Sequence, residues 1–176
     1  LEVDKINGLS WPPESGTRSG LTSTLKSIYA RAGIDLSIVQ DEGTIADLHP
    51  GTGYSDAELD SLLSAHRNRA PSDTNTWWEY NILVPEHIGG YYGMMFTSNT
   101  RQAFAVFAQE IQNGQGADWN DYILRTQAHE FGHALNLMHS DSSNGRPSNQ
   151  VSGAVDIMSQ SGYLDLLNWN YGWSAT

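Results

Sequence analysis

The chain has 176 residues, 39% of them hydrophobic and 10% aromatic, which suits one domain with a substantial core. Nine Lys and Arg against twenty Asp and Glu give a net charge of −11, which disfavours nucleic acid and anionic membrane as partners. Cysteine is absent, so disulfides, thiolate metal sites and cysteine nucleophiles are excluded.

No apolar run reaches the roughly 18 residues of a membrane span. The sequence starts at Leu1 with neither an initiator methionine nor a signal peptide, as a processed or trimmed chain would. Leu1, Val3 and Ile6 give a first strand or a tail, stopped by Trp11-Pro12-Pro13, and 14–20 reads as loop. Leu21, Leu25, Ile28, Tyr29 and Ala32 have helical spacing, with Gly33 placed to end the helix. Ile34, Leu36 and Ile38 alternate with polar residues, which predicts a half-buried strand. Residues 45–54 form a loop broken by His49-Pro50-Gly51 and Gly53.

A second helix is predicted over 55–69. Ser55 and Glu58 have capping-box spacing, and Leu59, Leu62, Leu63 and His66 share one face. Residues 77–84 read as a strand with Trp78, Tyr80, Ile82 and Val84 facing one way, ended by Pro85. The glycine-rich stretch 89–96 suits an edge strand or a surface held close to a ligand. Residues 101–111 fit helical spacing, but 103–108 also fits a buried strand, and position in the chain favours the strand. A turn at 113–116 leads to a long helix from Trp119 or Asn120 to Asn136, with Asp118 or Asn120 as cap. Residues 140–152 read as loop, 155–158 as a short apolar turn, and Leu164, Leu166, Leu167 and Trp169 as a last short helix.

The chemistry concentrates at His129-Glu130-Phe131-Gly132-His133-Ala134-Leu135-Asn136-Leu137-Met138-His139. Two histidines four apart share a helix face and can converge on one ion from adjacent turns. His139 lies ten residues after His129, about 15 Å along a continued helix, so the helix must stop and the chain fold back. Asn136 is the proposed turning point, because asparagine enters the left-handed conformation readily. A downstream glutamate cannot complete the site, since none follows Glu130. The later acids are Asp141, Asp156 and Asp165, so His139 is the favoured third ligand and Asp141 a weak substitute. Without cysteine, a zinc ion would be held by His129, His133 and His139, with one position left for water. Glu130 would take the proton of that water and deliver it to the leaving amine of a cleaved amide.

These residues resemble the metzincin clan of zinc metallopeptidases, whose long motif is HExxHxxGxxH followed by a methionine turn. Asn136 stands in the glycine place, and Val155-Asp156-Ile157-Met158-Ser159 resembles the turn, nineteen residues after His139. Ser140 is a matrixin-like feature. Gln160 stands where astacins and serralysins have tyrosine, and the nearest tyrosine is Tyr163, so no subfamily is assigned.

The resemblance implies an α+β or α/β zincin-like fold. Its parts are a twisted, mixed five-stranded sheet with an antiparallel edge strand, an active-site helix entered from the last strand, and a small irregular C-terminal subdomain. One catalytic domain then covers 1–176, divided into 1–139 and 140–176. Met158 would form an apolar floor beneath the zinc ligands. A peptide or protein substrate would pair with the edge at 91–96, with Tyr91, Tyr92, Gly93, Met94, Met95 and Phe96 as wall residues and Tyr163 shaping the pocket beyond the cut. The resemblance also implies secretion and an inhibitory pro-segment outside these residues; a monomer is the default.

Two other readings are a zinc amidase acting on cell-wall peptide or another non-protein amide, and a non-catalytic metal-binding module, which the intact Glu130 disfavours. His66 is expected to be partly buried and hydrogen-bonded, and His49 and His87 to lie on the surface. Structural calcium has candidates at Asp41-Glu42-Gly43, at Asp73-Thr74-Asn75 and at 141–144, none with the spacing of a known calcium loop.

Overall fold

The computed structural model describes residues 1–18, 21–69, 77–96, 102–135 and 137. It is a mixed α/β structure built on a five-stranded, mostly parallel sheet. The sheet strands are β1 (Glu2–Lys5), β4 (Val39–Gln40), β5 (Tyr80–Val84), β6 (Gly93–Met95) and β7 (Ala103–Phe107), in the spatial order β4-β1-β5-β7-β6. Four run parallel, and only the edge strand β6 is antiparallel, against β7.

Each central strand is buried on both faces, as parallel strands covered by helices must be. Tyr80, Ile82 and Val84 of β5 and Ala103, Ala105 and Phe107 of β7 join a core with Leu59, Leu62 and Leu63 of α2 (Asp56–His66). Leu83, Phe104 and Val106 face the other way, into a core with Leu25, Ile28 and Tyr29 of α1 (Leu25–Ala30) and Ile123, Leu124, Ala128 and Phe131 of α4 (Trp119–Ala134). The expected common facing of Tyr80, Ile82 and Val84 holds, but the strand is shorter. Trp77 stays 60% exposed, and 77–79 lie outside β5.

Several local expectations are corrected. Leu21 does not open a helix. Gly16–Arg18 (β2) and Leu21–Ser23 (β3) form an antiparallel hairpin where a loop and a helix start were expected. Thr24 caps α1 one residue later, through reciprocal bonds with Ser27 of 2.9 Å each. Gly33 does lie just past that helix, at φ +76°. The strand expected at 34–38 falls instead at β4, directly after that stretch, although Leu36 is buried as its apolar character suggests. The second helix ends at His66 rather than Arg69. At its start Glu58 accepts from the Ser55 N–H at 2.8 Å, as the capping-box spacing predicts.

Strand and helix share the ambiguous stretch after residue 101. β7 runs directly into α3 (Ala108–Gln115), which also occupies most of the expected turn at 113–116. The last strand therefore does not enter the histidine-bearing helix α4: α3 and a 3-10 turn at Gly116–Asp118 intervene. Among the described residues no helix is long and apolar enough to cross a membrane.

Candidate active site

α4 carries the histidine motif, and the fold fixes its position from three sides. Tyr29 of α1 donates its hydroxyl to the Ala128 carbonyl at 2.6 Å and packs its ring edge-on against Phe131. Gln127 donates to Asn81 of β5 at 2.8 Å, a buried polar link between helix and sheet. Asp121 accepts from the Thr17 N–H of the hairpin at 3.2 Å. None of these partners was legible in the sequence, because each link joins residues tens of positions apart.

His129 and His133 converge as their spacing predicts. Their Nε2 atoms are 3.1 Å apart and their rings stand nearly perpendicular. Two nitrogens about 2.0–2.1 Å from one tetrahedral ion would lie roughly 3.3–3.4 Å apart, so the observed gap fits a shared metal closely. His133 Nδ1 lies 2.8 Å from the Leu137 carbonyl. A carbonyl only accepts, so Nδ1 carries the proton and Nε2 keeps its lone pair for a ligand. The backbone supplies that carbonyl by closing the helix: Leu137 N–H bonds to Gly132 C=O at 2.9 Å, the six-to-one link that ends many helices. Thus the bond that closes the helix also orients a histidine on it. Asn136, His139, Met158 and Tyr163 lie outside the described residues, as do Asp141 and Gln160.

Glu130 points the other way from the core, beneath the edge strand, and is 7% exposed. Burial pushes its carboxyl up to about 8, while a Met95 backbone N–H works in the opposite direction. A carboxyl poised near neutrality can both take and return a proton. A divalent ion beside it would favour the charged form.

Gly93 sets how closely β6 covers this acid. A Cβ there would sit 2.5 Å from Thr126 Cγ2 and 2.7 Å from Glu130 Cγ, so only glycine allows the approach. Tyr92 is anchored at its far end. Its hydroxyl accepts from Gln115 Nε2 at 2.7 Å, in a seat that requires Gly114, where a Cβ would come within 2.1 Å of that oxygen.

A cleft of about 620 Å³ lies between β6 and α4, lined by Tyr91, Tyr92, Gly93, Met94, Thr126, His129, Glu130 and His133 among others. Of the expected wall residues, Tyr91 is a 55% exposed rim residue stacked on His87. Met94 borders the cleft but also packs against the opposite core, and Phe96 is wholly in that core rather than on the wall. Tyr122, Arg125, Thr126, Glu110 and Gln115 also line the cleft and were not singled out in the sequence. The first three had a usable signal: 122, 126 and 130, and 125, 129 and 133, are successive steps of four along one helix face.

A separate hollow of about 460 Å³ beside Leu1, Pro12 and Thr24 is bordered by Glu14 and Lys26 but by no histidine. Outside the motif, His66 meets its expectation by bonding Glu42 at 2.9 Å. His87 does not: it is buried, accepts from the Gly89 N–H at 2.9 Å and bonds Asp56 at 3.0 Å. It holds the loop before β6 rather than lying free on the surface. His49, partly buried, pairs with Glu58 at 3.2 Å.

The chain matches no protein-family model, and no curated protein sequence is significantly similar to it.

Proposed function

We propose that this chain is a zinc-dependent endopeptidase with a metzincin-like fold. One observation carries the reading: two imidazole Nε2 atoms converge beside a buried carboxyl that lines the cleft under an antiparallel edge strand. His129, His133 and, from its place in the motif, His139 would hold the ion. When bound, zinc supplies Lewis acidity toward a carbonyl and a lowered pKa for water.

The chain's own residues do the rest. Leu137 fixes the His133 tautomer through its carbonyl. Glu130 takes a proton on its carboxylate and releases it to the leaving nitrogen. β6 pairs only with β7 among the described strands, so its outer edge can accept an extended peptide through backbone bonds. That edge favours a peptide over the amides of a non-protein substrate. The burial of an acid with no packing benefit favours catalysis over a purely metal-binding role.

The order of the sheet strands supports the fold reading, since the penultimate one is the antiparallel edge. Secretion, an inhibitory pro-segment and a monomeric state belong to the same proposal. Digestion of a diverse peptide library with and without a chelator tests it. Chelator-sensitive cleavage within peptides, restored by zinc, is the expected result. Cleavage that ignores the chelator, or none with zinc bound, would overturn it.

A further inference from the structure

On the face of the sheet away from the cleft, three acids from different parts of the chain meet beside the end of α2. Glu2 and Asp4 come from β1, and Asp41 follows β4. One oxygen from each lies within 4.8 Å of the others. Glu2 and Asp4 are 1% and 0% exposed, an environment in which an uncompensated carboxylate is costly.

The surrounding donors satisfy this group incompletely. Glu2 accepts the Asn68 and Arg69 backbone N–H groups at 2.8 and 2.9 Å. Asp41 accepts from Asn68 Nδ2 at 2.8 Å, and Asp4 Oδ1 accepts the Glu42 N–H at 2.8 Å. Asp4 Oδ2 is buried, and among the described residues only the Tyr80 hydroxyl lies against that carboxyl as a further donor. A second observation comes from β5. The Tyr80 side chain, 0% exposed and paired in register with Glu2, brings its hydroxyl against Asp4, and among the described residues that oxygen has no partner apart from Asp4. Arg69 is the nearby fixed cation, its Nη1 3.3 Å from Asp41 and 3.8 Å from Glu2. Glu42, the neighbouring acid, is turned to His66.

We propose that Glu2, Asp4 and Asp41, with the Tyr80 hydroxyl, form a structural calcium site that is separate from the histidine cleft. Three carboxylates against one guanidinium leave an excess of two negative charges, the complement of one divalent ion. All the donors are hard oxygens. Their spacing suits calcium, whose ligands at about 2.3–2.6 Å stand up to roughly 5 Å apart across the ion. Each carboxylate oxygen already bonded to an N–H retains a second lone pair for the metal. Of the sequence candidate Asp41-Glu42-Gly43, only Asp41 contributes a ligand; the other two acids come from β1, which no local spacing could reveal. The ion would tie β1, β4 and β5 together where α2 ends.

The test uses the intact chain with zinc in slight excess, so that a histidine site is filled. Terbium stands in for calcium, because Tyr80 and Trp78 beside the cluster can sensitise its emission. The expected result is saturable emission at one ion per chain, displaced by calcium, with Asp4→Asn weakening the binding at least tenfold. Calcium should also raise Tm in the wild type and not in Asp4→Asn. Asp41→Asn, at the more open edge, gives a second variant that should weaken binding if Asp4→Asn does not fold.

Emission that calcium does not displace would overturn the proposal, as would variants that bind as tightly as wild type. So would a calcium-independent Tm with Asp4→Asn more stable at neutral pH, which would mean that a proton shared with Tyr80 satisfies Asp4. None of these readouts depends on peptide cleavage.

Discussion

Glu130 and Asp4 are both buried carboxyls on one sheet framework, and they differ in what they face. Asp4 lies on the α2 side among backbone N–H donors, Arg69 and Tyr80, in a cluster built from β1, β4 and β5. Glu130 lies on the α4 side with two histidines next to it on its helix, and it faces a cleft large enough for a peptide. Burial raises both, Asp4 up to about 6 and Glu130 up to about 8. Burial alone therefore does not mark a reactive acid. On the proposed reading access does: a reacting group would have to be dry yet open to substrate, and Gly93 lets a backbone roof take the place of a side-chain plug over Glu130.

The sharpest way to break the contrast is to remove each acid's function. Glu130→Ala should lower peptide cleavage by about 10²–10⁴-fold and retain one zinc per chain by elemental analysis. Cleavage at the wild-type rate would dissolve the distinction. Removing ligands comes next. His129→Ala or His133→Ala should abolish zinc retention after dialysis, and His139→Ala should weaken it while Asp141→Ala does not. The reverse pattern for the last two would move the third ligand.

A smaller effect is expected at the roof. Gly93→Ala forces a Cβ into Thr126 and Glu130, so kcat/KM should fall by roughly tenfold or more as β6 shifts, with stability reduced by about 1–3 kcal/mol. Unchanged kinetics would show that the roof does not position the substrate.

The smallest expected effect concerns Glu79, a further buried acid, with no role in either site. Burial pushes it up to about 7, and among the described residues its Oε2 has no hydrogen-bond partner. A raised carboxyl pKa means that the folded chain holds the proton more tightly than the unfolded one. Its favourable contribution is thus complete below the ordinary carboxylate range and is lost as pH rises through 7. Glu79→Gln should raise Tm at pH 8 by about 3–6 °C and change it little at pH 4. An equal shift at both pH values would show that the effect is packing and not ionisation.

The histidine pair, Glu130 and the helix bearing them were legible because they depend on spacing within a few residues. The α2 capping box and the edge strand were legible for the same reason. The limits of local reading show at Leu21–Ser23, whose apolar spacing fitted a helix but whose backbone pairs with Gly16–Arg18. They show again at Ala103–Gln115, where one apolar pattern served a strand and then a helix.

The sequence by itself determined the chemistry on offer: nitrogen ligands on one helix face, an acid between them, no cysteine, and an excess of negative charge. Only the tertiary structure decided what that chemistry meets. It set Gly93 over Glu130, and Glu2 and Asp4 beside Asp41. The physical reason is range. Helical periodicity acts over one or two turns, whereas the sheet brings together residues as far apart as Asp4 and Tyr80 through a register that depends on every strand packing at once.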